Sequence, residues 1–342
     1  MMTEKRLQEL LSAFQNSRIT LIGDLFLDQW YEIDTALNEP SLETGNTAYQ
    51  VVKKRSAAGA GGTVLNNLSA LGIGILKVIS FVGDDGNGWE LLKRLRDVRV
   101  DTSEVIVSDE VVTPSYIKPL YPVEKERFDI KNFRETPDGI QDLLIEKAKD
   151  ALKNSDAVIL LDQLTESNTG VLTDRVRSAI CELAPQFPDT IIFADSRAFI
   201  DRFYNVIIKC NNFEAAAMTG GTSGEGNAFD SAPVFSAMNA LRNKTGKDVI
   251  ITCNKYGVAI ADRGRELLVP AVLHPVEIDI CGAGDACTAG MVSALSAGAT
   301  LTEAAVCGNL SSGVTVRQIG RTGTADRALV LELFREQSER YR

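Results

Sequence analysis

The sequence predicts an α/β fold, in which a mostly parallel, doubly wound central sheet carries helices on both faces. Two observations predict it: short, almost continuously apolar runs recur along the chain, and helical patterns separate them. A third observation, two stretches with no convincing helical pattern, predicts a small second β-sheet. We expect the 342 residues to form one domain, because α/β folds often reach this length as a single unit.

The predicted elements alternate along the chain. The apolar, β-branched runs predicted to be strands are 18–23, 77–82, 157–162, 190–195, 206–209 and 248–252. The patterns predicted to be helices are 62–71, 89–95, 140–152, 170–183 and 233–245, and residues 1–16 predict a surface helix with one apolar face. Residues 31–55 and 110–133 are the two stretches predicted to form the second sheet. Beside an α/β ligand site such a sheet is well placed to act as a lid.

Composition and charge limit the classes of function. The hydrophobic fraction is 44% and the charged fraction 24%, which is typical of a soluble globular protein, and no apolar run is long enough for a membrane span. A net charge of −10 argues against a nucleic-acid partner, because such binding needs a basic surface. The six cysteines form no C-x-x-C pair, and no signal peptide precedes them. We therefore expect a cytoplasmic protein with reduced thiols.

The chain contains one histidine, His274. Multi-histidine metal sites are thereby excluded, and any triad that needs a histidine would have to use this one. The chemistry must rest mainly on carboxylates, backbone amides and bound metal.

The sharpest motif is Asp279-Ile280-Cys281-Gly282-Ala283-Gly284-Asp285, which follows a predicted strand at 276–278 and opens a predicted helix at 286–295. Its glycines allow a tight turn, and the free amides of a first helical turn favour an anion such as phosphate. A carboxylate in an anion site makes sense as a base that takes the proton from an attacking hydroxyl, and Asp285 has that position. The alternative is that Asp285 caps the helix.

Two other phosphate-binding motifs are not supported by the sequence. No G-x-x-x-x-G-K-[ST] occurs, so a Walker-type site is excluded. The run Gly59-Ala60-Gly61-Gly62 lacks the third glycine of G-x-G-x-x-G, which argues against a dinucleotide fold.

From about residue 19 to residue 335 the chain resembles the ribokinase-like (PfkB-type) carbohydrate kinases. Residues 279–285 are similar to the D-T-x-G-A-G-D signature of that family, residues 59–72 to its G-G-x-x-x-N-x-A…L-G region and residues 211–214 to its N-x-x-E element. The opening Gly23-Asp24-Leu25-Phe26-Leu27-Asp28 and the tail 309–320 resemble the heptose-phosphate kinase branch. The resemblance implies a three-layer ribokinase-like fold with a β-sheet lid, ATP and Mg²⁺ as cofactors, and a sugar or sugar phosphate as acceptor. An open lid sheet has exposed edges, which a homodimer through the lid could cover.

The resemblance also implies a role for each matching residue. Asp285 would be the base, with Gly282, Ala283 and Gly284 supplying the amides of the anion site. The other implied groups are the acceptor-binding residues Asp28, Gly59, Gly61, Gly62 and Thr63, the nucleotide-binding residues Arg197, Asn211, Thr252, Gly257 and Asn309, and the metal residue Glu214. For most of these a structural reading remains open: Glu214 with Asn211 could order magnesium through water or cap a helix, Arg197 could form a surface ion pair, and Asp24 is expected to serve a turn or helix cap.

The departures from the family pattern cluster around the acceptor. Cys281 replaces the threonine of the signature, Cys287 replaces an aromatic residue after the base, and Thr63 replaces an asparagine that faces the sugar. The acceptor therefore stays open: a nucleoside or vitamin-precursor kinase of the same fold is an alternative, as is a non-catalytic sugar-binding regulator. Some members of the branch carry a nucleotidyltransferase domain whose H-x-G-H motif needs two histidines, so we expect no such domain here.

Overall fold

The computed structural model describes residues 1–226, 228–274, 277–320 and 322–341. Its strands are β1 (Arg18–Gly23), β2 (Leu25–Ile33), β3 (Glu39–Pro40), β4 (Thr47–Ala48), β5 (Val51–Ala60), β6 (Ile75–Gly83), β7 (Val105–Ser108), β8 (Ser115–Leu120), β9 (Phe128–Ile130), β10 (Ala157–Asp162), β11 (Ile191–Ser196), β12 (Ile207–Asn211), β13 (Val249–Thr252), β14 (Val258–Asp262) and β15 (Arg265–Val269). Its helices are α1 (Glu4–Ala13), α2 (Gly61–Leu71), α3 (Gly86–Asp97), α4 (Asp138–Asn154), α5 (Asp174–Leu183), α6 (Asn212–Thr219), α7 (Ala232–Thr245), α8 (Ala283–Ser296), α9 (Leu301–Thr315), α10 (Arg327–Glu336) and α11 (Ser338–Tyr341).

The central sheet has the strand order β15-β14-β13-β12-β11-β10-β1-β6-β7 within the described residues. Neighbouring strands from β7 to β13 run parallel, and β14 and β15 continue the sheet as an antiparallel hairpin. The six runs predicted as strands all lie in the parallel part, with ends that differ by two residues or fewer. The predicted α/β class is confirmed.

Alternate residues of the central strands pack into two separate hydrophobic cores, one on each face of the sheet. In β10, for example, Ile159 belongs to one core and Leu160 to the other. The first core also contains apolar residues of α1, α2, α3, α8, α9 and α10, whereas the second contains those of α4, α5, α6 and α7. This two-sided burial explains why the strands have almost continuous apolar sequences.

Four strands form the second sheet, in the order β5-β2-β8-β9. Asp24 alone separates β1 of the central sheet from β2, so the chain passes directly from one sheet to the other. The second sheet therefore includes residues 25–30 and 56–60, which lie outside the predicted segments 31–55 and 110–133. Between β2 and β5 in the sequence, β3 and β4 form a separate small hairpin. Apolar side chains on its edge strands are exposed, among them Val52 and Phe128. The homodimer through this sheet stays a prediction.

Two predicted elements differ from the structure at their ends. The helix predicted over 170–183 begins only at Asp174, because Thr173 caps it and the amide of Val171 donates to Asp24 instead. For the strand predicted at 276–278, Val276 lies outside the described residues, while Glu277 and Ile278 are not in a strand. Within the described residues, no helix is both long enough and apolar enough to cross a bilayer; the cytoplasmic location stays a prediction.

The central position of β10 yields a test of the fold. Replacing the fully buried Leu160 with alanine is expected to lower the free energy of unfolding by about 2–5 kcal/mol, because it leaves a cavity that the strand cannot close. The matched control is Leu42→Ala in the exposed β3–β4 connection, where we expect a change within about 0.5 kcal/mol. Urea unfolding followed by circular dichroism measures both, and equal effects at the two positions would contradict the described burial.

Candidate active site

The first turn of α8 leaves two backbone amides free at the predicted anion site. Gly282, the residue before the helix, has a φ of 75°, a left-handed conformation that suits glycine. The amide of Ala286 donates to the carbonyl of Gly282, and the amide of Ala283 donates to that of Ile280. The amides of Gly284 and Asp285, by contrast, have no acceptor among the described residues. Of the predicted amide donors, Ala283 is thus engaged in the ligand-free protein, whereas Gly282 and Gly284 have no acceptor among the described residues; the roles of all three stay predictions.

The loop before α8 is fixed by Asp279. Its carboxylate accepts hydrogen bonds from the amide of Cys281, at 3.0 Å, and from the amide of Gly320, at 3.1 Å. These two amide bonds lower the pKa of Asp279. The loop therefore has a defined shape without a ligand, and the thiol of Cys281 is exposed on it.

A buried ion pair lies beneath the first turn of α8. Asp195 of β11 and Lys209 of β12 are directly paired in the parallel register, so their side chains share one face of the sheet. Lys209 Nζ lies 2.6 Å from Asp195 Oδ2, and the hydroxyl of Thr288 on α8 donates to the same oxygen at 2.8 Å. A Cβ built on Gly284 would lie 4.0 Å from Lys209 Nζ. The ammonium therefore lies close under the anion site.

Asp285 is surrounded by protein on most sides yet retains partial access to solvent. Burial raises the pKa of its carboxyl to about 7, and the negative charge of Asp195 adds to the rise. The positive charges of Lys209 and Arg197 oppose it. A carboxyl that titrates near neutral pH is suited to accept a proton, so this environment is what a general base requires.

Glu214 and Asn211 cap the amino terminus of α6. The side chain of Asn211 accepts from the amides of Phe213 and Glu214, and Glu214 Oε2 accepts from the amide of Asn211 at 2.7 Å. The capping alternative is therefore present in the structure. Burial raises the pKa of Glu214, and the bond from Asn211 opposes the rise.

The donor set around Glu214 fits magnesium that is bound largely by water and phosphate. The described residues contain no group of three or more histidine, cysteine, aspartate and glutamate side chains able to hold a metal ion. Mg²⁺ in phosphoryl-transfer sites needs few protein carboxylates, because substrate phosphates and waters complete its coordination. Glu214 lies near enough to Asp195, Lys209 and Arg197 to be influenced by their charges, so it belongs to the same cluster as Asp285.

Asp28 lies within β2, in the second sheet (β5-β2-β8-β9), which is the predicted lid, rather than at the end of the first central strand. Its Oδ1 is 3.2 Å from Lys118 Nζ on β8. A Cβ on Gly59 of β5 would lie 2.3 Å from Asp28 Oδ2, so a side chain at position 59 would displace this carboxylate from its present place. Gly59 and Asp28 are therefore direct neighbours in the second sheet. Both are predicted to bind the acceptor, and this role stays a prediction.

Gly61, Gly62 and Thr63 bring the lid to the anion site. The amide of Gly61 donates to the carbonyl of Asp24, and a Cβ on Gly62 would lie 2.4 Å from that of Ala58. Thr63, in the first turn of α2, is buried, and its Cγ2 would lie 3.5 Å from a Cβ on Gly282. The amino termini of α2 and α8 are therefore adjacent, which places the predicted acceptor residues next to the predicted phosphoryl site.

The predicted nucleotide-binding residues form a second group along the sheet edge. Thr252 lies opposite Asn211 in the register of β12 and β13. Gly257 has a φ of 115°, and a Cβ there would lie 2.0 Å from the carbonyl of Val269. Asn309, which is buried, donates its amide to the carbonyls of Val269 and Pro270. Gly257 and Asn309 thus both contact residues 269–270, and each has a structural role in the ligand-free protein.

Arg197 extends from the end of β11 toward the lid. It is exposed, it influences Asp285, and no ion-pair partner for it occurs in the described part of the chain. Burial raises the pKa of the Tyr116 phenol on β8, and the positive charges of Lys131, Arg127 and Arg197 oppose the rise. Arg197 therefore lies between Asp285 and the second sheet. The surface ion pair considered from the sequence does not occur among the described residues.

Sequence reasoning missed Lys209, Thr288 and the central place of Asp195. The signal that could have found Lys209 is its position inside the strand Ile207–Asn211, since a lysine in a sheet buried on both faces needs a buried partner. Of the predicted catalytic and metal residues, Asp285 and Glu214 lie close enough to this ion pair for its charges to act on them.

Comparisons with known proteins identify relatives over almost the whole chain. A family model described as "pfkB family carbohydrate kinase" matches residues 24–327. Bifunctional protein HldE of Sulfurimonas denitrificans is 28% identical over 321 residues, which cover 91% of this chain and 63% of the relative. The protein of the same name from Aliarcobacter butzleri is 27% identical and is covered to 62%. The chain thus spans less than two thirds of the length of these relatives.

Solved structures show the same fold at low sequence identity. Arabidopsis thaliana ribokinase, complexed with ribose and ATP, has a TM-score of 0.68 at 17% identity, with 93% of this chain and 98% of that chain covered. Phosphofructokinase-2 from Escherichia coli, in complex with substrates and products, has a TM-score of 0.69 at 17% identity, with 94% and 99% covered. The predicted ribokinase-like architecture is confirmed.

The raised pKa of Asp285 makes a prediction about stability. The pKa of Asp285 is about 7 in the folded protein and 3.8 in the unfolded chain. Between pH 3.8 and pH 7 the unfolded chain therefore binds fewer protons than the folded protein, and the free energy of unfolding falls as the pH rises through this range. Asp285→Asn is therefore expected to raise the free energy of unfolding by about 1–4 kcal/mol at pH 8, at about 1.4 kcal/mol per pKa unit, and by much less at pH 4.

Asp279→Asn is the matched control in the same loop. The pKa of Asp279 is lowered, so its ionised form is favoured on folding and the substitution should not stabilise the protein at pH 8. Urea unfolding at pH 4, 6 and 8 measures both variants. A gain for Asp285→Asn that does not change with pH would show that the charge of this carboxylate is not the cause.

Proposed function

The chain belongs to the pfkB family of carbohydrate kinases, and from this premise we propose that it transfers the γ-phosphoryl group of ATP to a hydroxyl of a sugar or sugar phosphate. In this proposal Asp285 is the general base. The observation that carries it is the arrangement at the start of α8, where the Asp285 carboxyl, with a pKa of about 7, lies next to two free backbone amides.

The two functions of this turn are compatible because they act on different atoms. The Asp285 carboxylate accepts the proton of the attacking hydroxyl, whose O–H bond breaks as its oxygen bonds to the γ-phosphorus. The bond between the γ-phosphorus and the β–γ bridging oxygen breaks at the same time, and ADP leaves with that oxygen. The amides of Gly284 and Asp285 donate hydrogen bonds to the oxygens of the transferring phosphoryl group. Fixed donors need no reorganisation during the reaction, and Asp279 already holds the loop that precedes them.

ATP would lie along the edge formed by the ends of β12 and β13, beside Asn211, Thr252, Gly257 and Asn309. This placement is supported by the rule that ligands of doubly wound sheets bind at the carboxyl ends of the strands. Glu214 would hold a magnesium ion through water, and magnesium neutralises charge on the phosphates of bound ATP. Arg197, exposed and unpaired among the described residues, would bind the transferring phosphoryl group.

A phosphorylated sugar is the acceptor that the lid favours. Lys131, Arg127 and Arg197 lie near enough to Tyr116 to act on its phenol, and Lys118 lies two residues beyond Tyr116 on β8, beside Asp28. Arg127, Lys131 and Lys118 are paired with Asp129, Glu166 and Asp28, respectively. Arg197 is the one cation of this group without an ion-pair partner among the described residues, and its charge favours an anionic acceptor. The resemblance to the heptose-phosphate kinase branch makes heptose phosphates the first acceptors to test.

The sugar-binding regulator is the alternative from another functional class. It would have no use for a carboxylate whose burial destabilises the ligand-free protein. A nucleoside or vitamin-precursor kinase keeps the same base and the same amides, so only the acceptor profile separates it from a sugar kinase.

The first experiment measures ADP release from Mg-ATP with a panel of sugars, sugar phosphates including heptose phosphates, and nucleosides. We expect turnover with a sugar phosphate and a fall of at least about 100-fold in kcat for Asp285→Asn, which removes the proton acceptor. Asp150→Asn, on the exposed face of α4 near the opposite ends of the strands, is the control and should leave kcat unchanged. Binding of a sugar with no turnover by the wild type would support the regulator instead.

A second experiment tests the proposed role of Arg197. Arg197→Met is expected to lower kcat/KM by about 10- to 100-fold, because a hydrogen bond to a charged group is worth about 1.5–3 kcal/mol. Arg202→Met is the control, since Arg202 pairs with Asp174 on the surface. If instead only the KM of the phosphorylated acceptor rises, Arg197 binds the phosphate of the acceptor and not the transferring group.

A further inference from the structure

We propose that Lys209 is a positioning residue that keeps the Asp285 carboxylate ionised, acting through its buried ion pair with Asp195. The inference rests on the proposed role of Asp285 as the base. Lys209 itself lies inside β12 and beneath the turn, so it acts on the base through charge.

The geometry gives Lys209 a fixed position. Its side chain is 7% exposed, and its ammonium is held 2.6 Å from Asp195 Oδ2. That oxygen also accepts the hydroxyl of Thr288, one turn beyond Asp285 on α8. Burial alone would lower the pKa of the Lys209 ammonium, but Asp195 outweighs burial and the pKa is raised. The lysine is therefore charged at every pH at which the enzyme would work.

Asp195 makes this cation necessary. The carboxylates of Asp195 and Glu214 lie in one cluster with Asp285, and the charge of Asp195 disfavours the ionised form of both neighbours. Lys209 lowers the pKa of all three groups it faces on this side, namely Asp285, Glu214 and the buried thiol of Cys287. Without it, Asp195 would hold Asp285 in the protonated state, in which it cannot accept a proton.

Arg197 also carries a positive charge toward Asp285, but it cannot replace Lys209. It is exposed, so water screens its charge, whereas Lys209 acts through the protein interior. In addition, Arg197 would pair with the incoming phosphate, after which its charge is neutralised. Lys209 is out of reach of such a partner because Asp195 and the turn of α8 enclose it.

The test is the pH profile of kcat/KM. Lys209→Met removes the positive charge and keeps a side chain of similar length. We expect the apparent pKa of the acidic limb of this profile to rise by about 1–2 units, the effect of losing one nearby opposite charge. Lys209→Arg should restore the limb to within about 0.5 units. Because Lys209→Met leaves Asp195 buried without a partner, the double variant Asp195→Asn/Lys209→Met is the folded reference, and its limb should lie near that of the wild type. An acidic limb unchanged in Lys209→Met would overturn the proposal and leave the ion pair a purely structural contact.

A second readout does not depend on turnover. The free energy of unfolding is measured against pH for the wild type and for Asp285→Asn, and the difference between the two curves reports the pKa of the Asp285 carboxyl. In the Lys209→Met background this pKa should be higher by the same 1–2 units. If the wild type shows no kinase activity yet this shift occurs, the role of Asp285 as base is wrong and the electrostatic role of Lys209 stands. If neither limb nor titration shifts, the role of Lys209 is wrong.

Discussion

The buried backbone and carboxylate of Asp24 connect the parts of the molecule that form the site. Its amide donates to the carbonyl of Leu161, and its carbonyl accepts from the amide of Gly61. Its carboxylate accepts from the amides of Gln163 and Val171. One residue thus joins the end of β1, the start of the lid, the start of α2 and the loop after β10. The position of the acceptor residues relative to the anion site depends on these four bonds, which is a larger role than the turn or cap expected from the sequence.

The buried charge of Asp24 requires a second buried network. Burial raises the pKa of Asp24, and its amide donors oppose the rise. Asp162 at the end of β10 is close enough that burial and the charge of Asp24 together raise its pKa to about 7. Arg177 and Ser196 both contact Asp162, and the amide of Arg197 donates to the carbonyl of Asp162. The network that stabilises the junction therefore also holds the backbone from which Arg197 reaches the site.

The sequence predicted the parts of the protein that a local pattern encodes. The central strands are apolar because both faces are buried, and the turn before α8 is recognisable because its glycines and Asp285 are consecutive. The position of Asp28 in the lid was not predictable, since a single residue separates β1 from β2 and no turn marks the boundary. Likewise the contacts of Lys209 with Asp195 and of Thr288 with Asp195 arise from three-dimensional packing between segments that are distant in sequence.

The charges of the site explain why the buried lysine and the exposed arginine have different places. A base must be anionic to accept a proton, yet it lies where an anionic phosphoryl group must also bind. Burial, together with the charge of Asp195, raises the pKa of Asp285 to about 7, and the cations Lys209 and Arg197 limit the rise. The buried ammonium of Lys209 beneath the turn favours the ionised form of Asp285 before any ligand arrives, and the exposed guanidinium of Arg197 remains available for phosphate. Exchanging the two positions would leave the phosphate without a partner and the base without its stabilising charge.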